Sequence, residues 1–281
     1  MKRTSAIVER LVGLIRDTSS RLPDDVLAAL KKVRRKELKG SSAAVVLQTI
    51  LDNCQLAAKK QVPLCQDTGT LAFYVEEKLR HKITSARIKE AVAIATDRGY
   101  LRKNCIDAVT GKSYDDNVCE GAPVIHYVSE PVGVTLLLKG GGSENMSRQY
   151  SLPSAELKAG RDLEGVRKCV LDAVRKIQGY GCAPGILGVC IGGDRASAYA
   201  AAKAALLRPI GERNRENKDL AKLEARLLKE ANVLGIGPMG LGGKTTLLDV
   251  KLTQLPRVPA SFFVTIAYMC WACRRQTLVI A

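Results

Sequence analysis

Three cysteines of this 281-residue chain stand in turn-forming sequences where a thiolate could bind a metal. Cys65 precedes Gln-Asp-Thr-Gly, Cys182 lies within Gly-Cys-Ala-Pro-Gly, and Cys270 follows a strand-like run and opens Cys-Trp-Ala-Cys-Arg-Arg. Ligating residues concentrate on loops, and nearby backbone N–H groups can donate to sulfur and hold a charged cluster. The pattern therefore permits a metal centre.

The spacing of these cysteines does not identify the metal. Cys270 and Cys273 have the Cys-x-x-Cys spacing of a zinc site, but the sequence has no second pair to complete it. Cys54, Cys169 and Cys190 fall in helical or strand-like apolar patterns and are predicted to be small buried hydrophobic residues. We assign no role to the other two cysteines, Cys105 and Cys119.

The elements that must position these loops alternate without βαβ regularity. We predict an α+β fold in one domain over residues 1–281, with a helical part over about 1–60 and sheet strands that present the cysteine loops at one edge. The predicted helices are 5–17, from 24, 43–60, 84–98, 153–176, 194–207 and 217–233. The predicted strands are 71–75, a pair at 124–128 and 132–138, then 186–191, 246–252 and 262–269.

Composition restricts the class of protein. Hydrophobic residues make up 46% of the chain, so it is not a disordered basic tail. No apolar run approaches the roughly 20 residues of a membrane helix, and the first residues lack a signal-peptide pattern. Nine cysteines without such a signal favour a reducing compartment, and we expect a cytoplasmic protein without membrane association.

The net charge of +16 and one glycine-rich segment offer rival functions. Pro238-Met-Gly-Leu-Gly-Gly-Lys-Thr-Thr246 invites a nucleotide-binding P-loop, but the first glycine of that motif is Pro238 and the residues from Thr246 look like a strand. The 44 cations are spread along the chain and aromatic residues are only 4%, which favours solvated helix faces over a specific nucleic-acid surface.

Five segments in order resemble the α unit of the class I iron–sulfur hydro-lyases, the oxygen-sensitive fumarases and L-tartrate dehydratases. They are Leu-Cys-Gln-Asp-Thr-Gly (64–69), Lys-Gly-Gly-Gly-Ser (139–143), Gly-Cys-Ala-Pro (181–184), Leu-Gly-Ile-Gly-Pro (234–238) and Cys-Trp-Ala-Cys-Arg-Arg (270–275). The last is similar to the family's Cys-Trp-Ala-x-Arg-Arg ending. The resemblance runs from about Arg21 to Arg275.

The resemblance implies a [4Fe–4S] cluster held by Cys65, Cys182 and Cys270, with the fourth iron free to bind substrate. An open iron is a Lewis acid that can hold a carboxylate and a hydroxyl together and ease departure of hydroxide. It also implies substrate contacts from Gln66, Asp67, Arg102 and Gly142, with Asp67 and Arg102 as the catalytic candidates. Arg102 would hold a carboxylate, and Gly142 would bring backbone against the substrate.

The resemblance also sets expectations about substrate and partner. Single-chain fumarases continue into a second domain, whereas this chain stops at Ala281, so it is expected to need a β-type subunit in a heterodimer or an α2β2 assembly. The expected reaction is reversible dehydration of a 2-hydroxy dicarboxylate, (S)-malate to fumarate, with L-tartrate to oxaloacetate as the alternative. The family usually has a histidine where this chain has Val258, which leaves His81 and His126 as structural or surface residues.

Overall fold

The computed structural model describes residues 5–130 and 132–280. Contacts divide the chain into two compact units, one from Met1–Pro23, Asp52–Gly141 and Ala272–Ala281, and one from Asp24–Leu51 and Gly142–Trp271. The chain passes from one unit to the other more than once, so neither is a continuous segment. The prediction of a single domain stays a prediction.

The described residues form eight α-helices and eight strands, and the α+β prediction is confirmed. The helices are α1 (Ala6–Ser20), α2 (Asp24–Arg34), α3 (Ser42–Lys60), α4 (Ser85–Asp97), α5 (Gly141–Asn145), α6 (Leu163–Ile177), α7 (Arg195–Ala205) and α8 (Lys218–Val233). The strands are β1 (Thr70–Glu76), β2 (Val124–Val128), β3 (Val134–Lys139), β4 (Arg148–Ser151), β5 (Gly185–Gly192), β6 (Leu247–Leu255), β7 (Phe263–Met269) and β8 (Arg274–Leu278). None of the described helices is long and apolar enough to span a bilayer.

The sheet of the first unit has the strand order β2-β1-β3-β8. Strand β1 runs parallel to β2 and antiparallel to β3, so the prediction that β2 and β3 pair with each other was wrong. All residues of β1 from Leu71 to Glu76 are buried, which suits a central strand with a neighbour on each side. Apolar faces of α1 and α4 pack on this sheet, where Leu11 and Ile88 join Phe73 in one core.

The sheet of the second unit has the order β4-β7-β5-β6. On one face Leu187 and Val189 of β5 join the apolar residues of α6 and α8. Helix α7 also packs on β5, where a Cβ on Gly188 would lie 2.0 Å from the carbonyl oxygen of Ala202. Glycine at this position is therefore what lets the helix backbone approach the strand.

One sequence prediction about the second unit needs correction. The helix predicted over 153–176 begins only at Leu163, because the Asp162 carboxylate caps it by accepting from Gly165 N at 2.6 Å. The residues before it form turns closed by a bridge between Ser154 and Ala159. The sequence argument against a P-loop is confirmed, because strand β6, not a helix, follows Lys244.

A buried ion-pair network in the second unit holds the segment after α7 against β6. The Lys251 ammonium is fully buried, lies 2.8 Å from an Asp249 carboxylate oxygen, and donates to the carbonyl of Pro209 at 2.6 Å. Asp249 also pairs with Arg213 at 2.7 Å and accepts from Gly211 N at 2.7 Å. Burial raises the pKa of Asp249, but Lys251 and these hydrogen bonds outweigh it, so the pKa lies below its ordinary 3.8.

We expect Asp249→Asn to lower the free energy of unfolding by about 3–5 kcal/mol, because it leaves a buried ammonium without its acid. The lowered pKa stabilises the fold above the ordinary aspartate pKa, and this contribution is lost as the pH falls through the folded value. The difference between the two proteins in urea unfolding should therefore shrink below about pH 3.9. Asp219→Asn, at an exposed pair with Lys222, is the matched control. An equal loss in both variants would contradict the prediction.

Candidate functional site

The first unit fixes the backbone on both sides of Cys65. Leu64 N donates to Ser19 O at 2.8 Å, and Asn53 Nδ2 donates to Leu64 O at 3.0 Å. Four residues on, Gly69 has a φ of +76°, and a Cβ there would lie 2.4 Å from the carbonyl oxygen of Lys139. The 64–69 loop is thus hydrogen-bonded to α1 and α3 at Leu64, and at Gly69 it packs against the end of β3. The Cys65 thiol is partly exposed between these ends.

Arg102 is brought to this loop by a reciprocal pair of hydrogen bonds. Thr68 Oγ1 donates to Arg102 O at 2.9 Å and accepts from Arg102 N at 3.0 Å. The guanidinium Nη1 donates to Gln66 O at 3.1 Å, and Asn117 Nδ2 supports the Arg102 carbonyl at 2.9 Å. The side chains of Gln66 and Arg102 remain exposed. The structure therefore brings two of the predicted substrate contacts together next to Cys65.

Asp67 lies against the end of β3 and the start of β8. A Cβ on Gly140 would come within 2.8 Å of Asp67 Oδ2, so a larger residue here would displace this carboxylate from its position. Arg274 Nη2 donates to the Asp67 carbonyl oxygen at 2.8 Å. Asp67 is consequently held through its backbone while its carboxylate sits beside the glycine run.

Arg274 is a functional candidate that the sequence analysis missed. Its side chain is 2% exposed, its Nε makes no hydrogen bond to any described residue, and no described carboxylate forms an ion pair with it. A buried cation without an acid is unfavourable unless an anion completes the site. The only sequence signal was its place in the Cys-Trp-Ala-Cys-Arg-Arg motif, because arginine itself is ordinarily a surface residue.

The second unit places Cys182 and Cys270 around one tyrosine ring. Cβ atoms on Gly181 and Gly185 would lie 2.2 and 2.4 Å from atoms of the Tyr268 ring, so both glycines are needed for this packing. Trp271 N donates to Cys182 O at 3.3 Å, which ties the Cys182 turn to the residue after Cys270. Burial raises the pKa of Tyr268, and the nearby Cys270 and Cys182 raise it further.

The third glycine of the 139–143 segment lies at the start of α5 in the second unit. Gly142 is exposed, and a Cβ there would meet no protein atom within 4 Å. Glu144, also in α5, pairs with Lys203 of α7. The glycine run therefore leads into a short helix, and Gly142 is exposed in its first turn.

The cysteines outside the proposed ligand set are buried or hydrogen-bonded to another cysteine. Burial raises the pKa of the Cys54, Cys169 and Cys190 thiols to about 11, 12 and 11, and all three are buried as predicted. Cys273 is buried too. Burial and a hydrogen bond with Cys119 raise the pKa of Cys105 to about 12, a proximity that the sequence did not indicate.

His126 stacks on Tyr74 with ring centroids 4.9 Å apart, and His81 is exposed. Val258, where a histidine was expected, is also exposed. Within residues 5–130 and 132–280, no three or more His, Cys, Asp or Glu side chains form a group that could hold a metal ion. Cys65 belongs to the first unit, and Cys182 and Cys270 belong to the second.

Comparison with known proteins gives the class of the molecule. Residues 8–279 match the family model described as fumarate hydratase (Fumerase). The chain therefore belongs to the fumarate hydratase family of hydro-lyases, as the sequence motifs implied. Class I fumarate hydratases and tartrate dehydratases depend on an iron–sulfur group.

Individual relatives carry two different names. A putative fumarate hydratase class I of Geobacillus stearothermophilus is 46% identical over 280 residues, which are 96% of this chain and 54% of that protein. A putative L(+)-tartrate dehydratase subunit alpha of Methanocaldococcus jannaschii is 37% identical, covering 98% of this chain and 96% of the relative. The L(+)-tartrate dehydratase subunit alpha of Escherichia coli K12 is 31% identical, covering 100% and 91%. The chain thus spans about half of the first relative and nearly all of the other two.

Proposed function

We propose that this chain is the α-type unit of an iron–sulfur hydro-lyase that interconverts (S)-malate with fumarate and water. One observation carries the proposal: a loop thiol, a carboxylate and two arginines converge at residues 65–69 of a chain in the fumarate hydratase family. Elimination of water from a hydroxy dicarboxylate needs cationic groups for its carboxylates and a Lewis acid for its hydroxyl.

Cys65, Cys182 and Cys270 are the residues that we propose as ligands of a [4Fe–4S] cluster with one iron open to substrate. These three cysteines fit such a cluster, because each lies in a loop and none is buried. Cys273, three residues after Cys270, is buried. Three thiolates leave one iron without a protein ligand. When bound, the cluster would supply the Lewis acid that polarises the hydroxyl of the substrate.

The remaining steps fall to side chains of this chain and its partner. The exposed guanidinium of Arg102, held in place by Thr68 and Gln66, would bind a substrate carboxylate through two N–H groups. Gln66 would offer an amide to the same ligand. Arg274 would keep the Asp67 loop in position and supply positive charge beneath it. The group that moves the C3 proton would come from a β-type unit.

Malate and fumarate are favoured over tartrate by similarity. The fumarate hydratase relative is 46% identical, whereas the tartrate dehydratase subunits are 37% and 31% identical. L-tartrate, giving oxaloacetate, remains the second candidate because those relatives match this chain along almost their whole length. Relatives named as subunit alpha also support a separate β-type subunit, in a heterodimer or an α2β2 assembly.

An anaerobic assay of the chain after reconstitution with iron and sulfide tests this function. We expect the chain alone to show no turnover. Once a β-type hydro-lyase subunit is added, we expect hydration of fumarate, which is measured as the loss of fumarate absorbance. A higher kcat/KM for L-tartrate would move the assignment to the second candidate. Substantial fumarate hydration without the β-type subunit would contradict the proposed division of labour.

Gly142→Ala should separate a substrate contact from a structural role. The new methyl group meets no protein atom within 4 Å, so the free energy of unfolding should stay unchanged or rise by about 0.5–1 kcal/mol. If the substrate approaches this backbone, kcat/KM of the assembled enzyme should fall by about tenfold or more.

Gly13→Ala is the matched control for this substitution, because Gly13 is also helical with open space around its Cβ. It should leave kcat/KM unchanged. Equal kinetics in the two variants would remove Gly142 from the proposed site.

A further inference from the structure

A cationic cavity of about 490 Å³ lies beside the edge strand β4 of the second unit. This volume falls within the range of roughly 300–1,000 Å³ that small-molecule sites occupy. The residues that line it within the described chain include three cations and no acid. Those used below are Arg148, Gln149, Tyr150, Lys176, Arg195 and Tyr199.

Arg148 has a buried donor without an acceptor. It opens strand β4, and its Nε is buried yet makes no hydrogen bond to any residue that the structure describes. No described carboxylate forms an ion pair with its guanidinium. Buried N–H groups are nearly always paired in folded proteins, so this one points to an acceptor that enters the cavity.

Arg195 is oriented by neutral groups that leave its charge uncompensated. From the first turn of α7, its Nη1 donates to Gln149 Oε1 at 2.9 Å, and its guanidinium carbon lies 4.8 Å from the centre of the Phe263 ring. Neither contact carries a negative charge. Two guanidinium groups, on β4 and on α7, therefore line one cavity without an acid partner among the described residues.

The acids near the cavity pair with Lys176 and do not neutralise Arg148 and Arg195. Lys176 pairs with Asp172 at 2.8 Å and approaches Glu156 at 3.6 Å, and Asp172 also accepts from Tyr150 Oη at 2.9 Å. These charges are therefore occupied with one another. The cavity keeps the positive charge of Arg148 and Arg195.

Tyr199 adds a neutral donor to the two guanidinium groups. Burial raises its pKa, the Glu144 carboxylate raises it further, and Arg148 and Arg195 oppose them. The hydroxyl is therefore protonated at neutral pH, as an ordinary tyrosine is. Glu144 itself is paired with Lys203.

We propose that this cavity is a binding site for a small oxyanion, a molecule with a carboxylate or phosphoryl group held by Arg148, Arg195 and the Tyr199 hydroxyl. Planar guanidinium groups bind both kinds of oxyanion through paired N–H donors. The site uses none of the three cysteines and not Arg102, so it stands or falls independently of the hydro-lyase proposal.

Calorimetric titration of the full chain with inorganic phosphate and, separately, with succinate tests the site. We expect saturable binding of at least one probe, with the tighter probe showing whether the natural ligand is phosphoryl or dicarboxylate. Arg148→Met should weaken the tighter probe by about tenfold or more, and Arg195→Met should do the same. Circular dichroism checks the fold, and Arg195→Met serves alone if Arg148→Met does not fold.

Two control variants separate this site from general attraction and from the proposed active site. Arg215→Met removes the same charge from an 81% exposed side chain and should leave binding unchanged. Arg102→Met should also leave phosphate binding unchanged. The proposal is overturned if neither probe binds the unmodified chain, if Arg215→Met weakens binding as much as Arg148→Met, or if Arg102→Met abolishes phosphate binding.

Discussion

Cys65→Ser, Cys182→Ser and Cys270→Ser are each expected to reduce the iron and acid-labile sulfide of the reconstituted chain to background. A serine hydroxyl is a poor ligand for iron in a sulfide cluster, and three thiolates leave no spare protein ligand. The three variants should fold normally, because Cys65 and Cys270 are partly exposed and Cys182 is exposed. None of the three is a buried core residue.

Cys54→Ser is the control that shows whether loss of any cysteine lowers the iron content. Burial raises the pKa of the Cys54 thiol to about 11, which keeps it protonated and unsuited to bind metal. Its substitution should leave iron content unchanged, although it can lower stability. Normal iron and sulfide in any of the three loop variants would remove that cysteine from the ligand set.

Arg274→Met is expected to lower kcat/KM of the assembled enzyme by about 100-fold, because the Asp67 loop loses the guanidinium that holds its carbonyl at 2.8 Å. The same change should leave the free energy of unfolding unaltered or higher. A buried cation without a described acid partner is unfavourable in the free chain, and methionine fills a similar volume without charge.

This opposition between activity and stability distinguishes Arg274 from an ordinary core residue. Arg215→Met, at an exposed position, should change neither quantity. Urea unfolding and anaerobic fumarate hydration measure the two effects on the same preparations. A large fall in stability of Arg274→Met, with activity per folded molecule retained, would show that the arginine serves the fold and not the site.

Local sequence patterns were enough for most elements that carry the site. Strand β2 was predicted with its observed bounds, and the helix that begins at Arg195 was predicted from its alanine-rich sequence. The structure adds that Asp194 caps this helix by accepting from Ser197 N at 3.2 Å. These features depend on residues within a few positions of each other. The short strand β4 and the arginine-rich β8 escaped prediction because neither has an apolar period.

The order of the strands could not be predicted from local sequence patterns. Apolar alternation marks a strand but does not name its neighbour, and here β1 inserts between β2 and β3. The start of α6 was misplaced because an apolar helical period continued through residues that in fact form turns. Long-range pairing and capping decided both outcomes.

The sequence by itself determined the family, because the cysteine, glycine and arginine segments stand in a characteristic order that needs no coordinates. Only the tertiary structure decided that Tyr268 gathers Cys182 and Cys270, that Thr68 carries Arg102 to the Cys65 loop, and that Arg274 is buried beneath Asp67. The contacts of Tyr268 with the Cys182 turn, of Thr68 with Arg102 and of Arg274 with Asp67 join residues far apart in the chain. Their proximity depends on which strands pair and where glycine permits close packing, and no local pattern encodes that.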